Sequence, residues 1–230
     1  MIVVVASGHD PRARSVMEHW GSQCAMMLTA EDLCMPGWQF TAPRPQNGMA
    51  VIGGKIVADA AIKGILTLRP CIFPEELLSI AAAHRRYVAA ELNAFLLAWL
   101  AAQTCPVLNR PTAYCLAGPN WRAEQWTLTA ARLGIPTQTR HCIAGRHAHG
   151  NFEEAFEITA VGERCFGCQD KILRINTLRL ARAAGVDLLS ARFSRDEGRF
   201  LSANIWPQLT DAAVAAAVHE SLANRRENRR

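Results

Sequence analysis

The chain has 230 residues, half of them hydrophobic, with eight cysteines and a formal charge of +5. That length buries a sizeable core without disulfide or metal staples, as one large domain or two small ones. The cysteines, in a chain that opens on residues 1–6 with no basic lead-in or cleavage site, imply thiols or metal ligands rather than a disulfide framework.

The charge is concentrated at one end. Residues 225–230 supply four positive charges and one negative, leaving about +2 for the rest. No basic stripe interleaved with aromatics occurs elsewhere, so nucleic acid is not an expected partner. The most apolar stretch, residues 95–102, is far too short to span a membrane. A cytoplasmic protein without a membrane partner is expected. Lys55, Lys63 and Lys171 are the only lysines.

In chain order, the continuous apolar run 2–6 predicts a strand buried on both faces. Asp10 and Pro11 form an N-cap and first-turn pair for a helix to about Trp20. Residues 25–28 predict a second strand, and 35–48 a loop. Gly53-Gly54 between β-branched pairs predicts a tight hairpin. A phosphate loop is excluded there, because Met49 stands where its glycine is needed and Ile56 where its Ser or Thr is needed. Residues 61–68 predict a strand ending at Arg69-Pro70, and 74–103 one long helix.

A brief strand, 106–108, enters Asn109-Arg110-Pro111. Residues 121–133 predict a helix ended by Gly134. The glycine- and histidine-rich stretch 141–150 predicts a loop. Hairpins follow around Gly162-Glu163 and around residues 194–198, separated by an amphipathic helix 171–184 closed by Gly185. Thr210 and Asp211 start a last helix.

Three blocks taken together resemble ATP-grasp ligases of the RimK type. They are Tyr87-Val88-Ala89-Ala90-Glu91-Leu92, Val107-Leu108-Asn109-Arg110-Pro111-Thr112 and Ala131-Arg132-Leu133-Gly134-Ile135-Pro136. Ile158 to Gly167 resembles that family's later hairpin. Ala184-Gly185-Val186-Asp187-Leu188-Leu189 with Gly198-Arg199-Phe200-Leu201-Ser202-Ala203-Asn204 resembles its metal-bearing strand pair. The resemblance implies an α/β fold: a pre-ATP-grasp-like, mainly parallel sheet domain (1–137), then a shortened antiparallel ATP-grasp-like domain (138–224) and a basic tail (225–230). It implies ATP and magnesium as cofactors, with Asn109, Arg110 and Arg122 toward nucleotide and Asp187 and Asn204 toward magnesium.

Three departures weigh against an ordinary ligase. Ser202 stands where the family carries a glutamate, and a hydroxyl cannot replace a carboxylate on a hard dication. Arg122 matches the family's lysine, a change that still permits phosphate binding. Only nineteen residues lie between Pro136 and Phe156, where a phosphate lid with its own strands and helix needs roughly forty. The expectation is a degenerate nucleotide site in a non-catalytic protein, one that binds a small molecule or serves a full-length ligase as accessory subunit. The alternative is an ATP-dependent carboxylate–amine ligase with a reduced site, using Arg192 or Arg199 near an acyl phosphate.

A lesser alternative is a zinc or redox module. Cys165 and Cys168, with His147 and His149 upstream, have ligand types suited to tetrahedral zinc, but only one Cys-x-x-Cys is present. Residues three apart on a strand point to opposite faces, so Gly167 must break the strand for both thiols to meet. His9 with Arg12 and Arg14 at a helix start is a further anion-site candidate. A truncated second domain leaves sheet edges uncovered, so a homo-oligomer, a dimer first, is expected.

Overall fold

The computed structural model describes residues 1–41, 48–138 and 155–224. The chain divides into two compact units, Met1–Asn120 with Gln208–Arg230, and Trp121–Pro207.

The first unit begins with β1 (Ile2–Val5), α1 (Pro11–Trp20), β2 (Ala25–Leu28) and the short α2 (Ala30–Leu33). A hairpin of β3 (Met49–Ile52) and β4 (Lys55–Ala58) follows, then β5 (Gly64–Thr67), α3 (Arg85–Ala102) and β6 (Val107–Leu108). Four strands form a sheet in the order β2-β1-β5-β6, all parallel. The apolar run 2–5 is buried throughout, as a central parallel strand requires.

One face of this sheet (Val3, Val5, Leu28, Ile65) joins Leu96, Trp99 and Leu100 of α3 and Ile52 of the hairpin in a single core. Asp32, 3 % exposed, ties the hairpin to the end of β2. Its carboxylate accepts from Thr29 N at 2.8 Å and from Gly54 N at 2.8 Å.

The second unit holds α4 (Ala123–Arg132), β7 (Ala155–Val161), β8 (Arg164–Gly167), α5 (Lys171–Ala184), β9 (Leu188–Ser194) and β10 (Phe200–Asn204). Its strands form an antiparallel sheet ordered β10-β9-β7-β8. Register separates two faces. Ile158, Ala160, Leu189, Ala191, Phe193 and Phe200 make the apolar one, with Phe193 and Phe200 edge to face at 5.9 Å. Asp170 caps α5 through Ile172 N and Leu173 N, and Gly185 closes it in the left-handed conformation, as capping chemistry predicts.

The chain then returns to the first unit as α6 (Ala212–Asn224). Trp20 Nε1 donates to Ala215 O at 2.9 Å and Ser15 Oγ to Leu209 O at 3.3 Å, so α6 is pinned to α1. Among the described residues no helix is long and apolar enough to cross a membrane.

One expectation differs from what is observed. The helix expected over 74–103 is a short 3₁₀ turn, Pro74–Glu76, then irregular chain, then α3 from Arg85. Glu76 is held by the buried Arg69 and by Phe73 N, which pins the turn, while Arg85 Nε donates to Ile80 O at 2.8 Å and stops the helix extending backward. The compact units divide after Asn120 and after Pro207, and α4 and the bridge from Thr137 to Phe200 lie along β10.

A buried polar group in the first unit sets a pH dependence. Trp99 Nε1 donates to Asp59 Oδ1 at 3.2 Å, while Asp59 Oδ2 and Gln103 Nε2 are buried near one another without a well-formed hydrogen bond. Burial pushes the Asp59 carboxyl above its ordinary value, against the pull of the Trp99 hydrogen bond and of the Gln103 amide. A folded-state pKa raised in this way favours the protonated native form. Stability is therefore lost as pH rises through the ordinary carboxyl value toward the folded one. Asp59→Asn is expected to gain about 1 kcal/mol at pH 7, roughly 2–4 °C in thermal melts, and to flatten the pH–Tm curve on the acid side.

Candidate functional site

The residues singled out for nucleotide and metal fall in different units, and each group is described within its own. In the first unit, Asn109 follows β6 and is 2 % exposed, while Arg110 beside it is exposed. The loop beyond is shaped by Thr112, whose hydroxyl donates to Gly118 O at 3.1 Å and whose N–H donates to Cys115 O at 2.9 Å.

Of the anion candidates at the start of α1, Arg12 is already neutralised. Arg12 folds back on Asp10, with Nη2 at 2.6 Å from Oδ2, and also donates to Leu68 O at 3.2 Å. Burial pushes the Asp10 carboxyl up, but the Arg12 side-chain and backbone hydrogen bonds outweigh it and leave the group below its ordinary value.

In the second unit the polar face of the antiparallel sheet gathers the candidates that matter. Across the strands one row reads Ser202, Arg192, Glu157, and the next reads Asn204, Ser190, Thr159. Ser190, fully buried, donates its hydroxyl to Glu157 Oε1 at 2.6 Å. Asn204 Oδ1 accepts from Trp206 N at 2.7 Å. Asp187 lies just before β9, at the end of the sheet where Asn204 sits, and its carbonyl accepts from Gly162 N at 2.7 Å. Arg122 is exposed at the N-terminus of α4, where its N–H donates to Gln125 Oε1 at 2.9 Å.

Glu157 was not among the sequence candidates. Its signal was the alternation of β7, in which Glu157 and Thr159 interrupt an otherwise apolar strand, yet only the register shows that they share a face with Ser202 and Asn204.

This donor set suits magnesium poorly. A hard dication takes oxygen ligands rich in negative charge. Along the paired strands this face offers one carboxylate, already bonded to Ser190, with a guanidinium between it and Ser202. Among the described residues, no group of three or more His, Cys, Asp or Glu side chains is gathered as a metal would need.

The zinc candidates divide likewise. Cys165 is buried on the α5 side, its thiol directed at Arg174 O at 3.6 Å, and burial pushes that thiol up. Cys168 Sγ accepts from Asp170 N at 3.4 Å. His147 and His149 lie outside the described residues, as does the expected loop at 141–150. Gly167 adopts φ +100 at the end of β8, so the backbone between the two cysteines does leave the regular strand.

No family model matches the sequence, and no curated protein matches it. Solved structures do. The macrocyclase MdnC of Microcystis aeruginosa MRC, solved with its precursor peptide MdnA, matches at TM-score 0.70 and 11 % identity, covering 97 % of this chain and 99 % of that one. A Chryseobacterium gregarium RiPP-associated ATP-grasp ligase, in complex with ADP and a leader and core peptide, matches at 0.62 and 11 %, covering 96 % of each chain. The ATP-grasp ligase PsnB, complexed with a phosphomimetic variant of its minimal precursor, Mg and ADP, matches at 0.63 and 12 %, covering 96 % of this chain and 98 % of that one. With its parallel α/β unit and its separate antiparallel unit, this chain has an ATP-grasp-like fold.

Proposed function

We propose that this chain is a peptide-recognition protein of ATP-grasp-like fold that has lost a self-sufficient ATP site, and that it acts as an accessory to a complete ligase. The observation that carries this reading is the row Ser202–Arg192–Glu157. Where the resemblance implies a carboxylate-rich magnesium site, the sheet carries a hydroxyl opposite a cation. The peptide part is supported by the neighbours, which were solved with precursor or leader peptides. A peptide partner replaces the unspecified small molecule of the sequence reading.

A second reading, a working ATP-dependent carboxylate–amine ligase, is favoured by Glu157 alone, since it does bring one carboxylate to the same face as Asn204. Calorimetric titration with ATP, with and without magnesium, separates the two. No magnesium-dependent heat at high-micromolar nucleotide is expected. Micromolar, magnesium-dependent binding, with ADP released in the presence of a precursor-type peptide, would sink the accessory reading in favour of the ligase. Peptide recognition is tested separately by fluorescence anisotropy against a panel of short labelled peptides.

A further inference from the structure

We propose that Cys71 and Cys115 are a redox-modification site. A low-molecular-weight disulfide such as glutathione disulfide oxidises the two thiols to a disulfide that staples the loop after β5 to the loop after β6. The site lies wholly within the first compact unit and stands independently of the peptide-recognition reading.

The main chain brings the two cysteines together. Leu116 N donates to Pro70 O at 2.9 Å, so the peptide group joining Pro70 to Cys71 is bonded to the one joining Cys115 to Leu116. Both peptide bonds are trans. In a trans peptide the carbonyl oxygen lies on the side of the following Cα, and the N–H on the side of the preceding one. The Cα atoms of Cys71 and Cys115 therefore flank this one hydrogen bond. Cα atoms so placed lie roughly 4.5–6.5 Å apart, within the span of about 4.4–6.8 Å that a disulfide takes. Burial pushes the Cys115 thiol up and a charge at Cys71 pushes it further, so the two sulfurs interact through space.

Both ends are already fixed. Arg69, 3 % exposed, donates its Nε to Cys71 O at 2.9 Å. Cys115 closes a tight turn, with Thr112 N donating to Cys115 O at 2.9 Å and Cys115 N to Thr112 O at 3.2 Å. Joining two ordered positions costs little further conformational entropy in the folded state. Cys105 is no competitor, because it precedes β6 while Cys71 follows β5, and the two strands run parallel.

Exposure sets the order of the chemistry. Cys71 is half-buried and Cys115 is buried, so an external disulfide meets Cys71 first. The Cys71 thiolate attacks one sulfur of glutathione disulfide, whose S–S bond breaks to release one glutathione thiolate and leave a mixed disulfide. The Cys115 thiolate then attacks the Cys71 sulfur and expels the second glutathione thiolate. The protein pair gives up two electrons and two protons, and one glutathione disulfide becomes two molecules of glutathione. Burial pushes the Cys71 thiol up as well, against the pull of the Arg69 guanidinium. Thiolate is therefore scarce at neutral pH, and the pair works as a slow staple rather than a rapid sensor. The ring it closes spans about 45 residues, including α3 and β6.

The test treats the reduced full chain with glutathione disulfide at mildly alkaline pH, natively and in concentrated urea, followed by tryptic mass mapping. In the native sample the peptides bearing Cys71 and Cys115 are expected to be joined, the pair two hydrogens lighter. The exposed Cys24 and Cys34 should carry glutathione only. Tm is expected to rise by roughly 6–12 °C and to return when dithiothreitol is added. Cys71→Ser, at a half-buried position, should abolish the joined peptides and the gain in Tm. Should that variant fail to fold, the map of the unaltered chain decides alone.

A native chain in which Cys71 and Cys115 stay reduced, or carry separate glutathione adducts, overturns the site. So does a link from Cys71 to any other cysteine, or an equal yield of the Cys71–Cys115 link in urea, since the fold then does not set the pairing. Joined peptides with Tm unchanged overturn the staple.

Discussion

Gly167→Ala is expected to cost about 3–4 kcal/mol, which for a chain of this size lowers Tm by roughly 6–16 °C. Two independent effects add. Gly167 has φ +100, a backbone conformation that side-chain-bearing residues rarely adopt. A Cβ there would also stand 2.2 Å from Glu157 O, a backbone atom of the neighbouring strand that cannot swing aside. The hairpin of β7 and β8 must then part where Ile158 and Gly167 pair, which shifts Glu157 on the polar face. Gly162→Ala is the control, since Gly162 also has positive φ (+58) but nothing lies within 4 Å of its added Cβ. It should cost only about 1–2 kcal/mol, the conformational part alone. Equal losses for the two variants would show that the close approach to Glu157 is not what makes Gly167 necessary.

Gly64→Val has the next largest expected effect, about 3 kcal/mol, from overpacking. Its φ is ordinary, and the constraint is space. A Cβ at this position would lie 2.8 Å from Leu222 Cβ and 2.8 Å from Leu222 O, so α6 rests directly on the backbone of β5. Valine forces α6 off the sheet, against the Trp20–Ala215 and Ser15–Leu209 hydrogen bonds that hold it. Hydrogen exchange is the measurement of choice. Amides of α6 and α1 should lose protection, while those of β7 and β9 in the other compact unit keep theirs. Uniform loss through the whole chain would mean that the two units do not unfold separately.

Much of the architecture was legible from local chemistry. Asp10-Pro11, Asp170 and Gly185 mark helix ends because capping groups satisfy orphan backbone N–H and C=O groups within a few residues of chain. Gly53-Gly54 marks the first hairpin because both residues take positive φ. The apolar run of β1 announced a strand buried on both sides.

The tertiary structure decided what depends on residues far apart in sequence. Helical spacing over 74–103 could not reveal that Arg69 captures Glu76 and arrests the first turns, because that ion pair exists only once β5 has placed Arg69 in the interior. Glu157 could not be assigned to the face of Ser202 before the registers of β7, β9 and β10 were known, for a shift of one residue reverses every side chain. Sequence by itself determined the local elements. Strand order and register, which arise from long-range pairing, decided which side chains share a face.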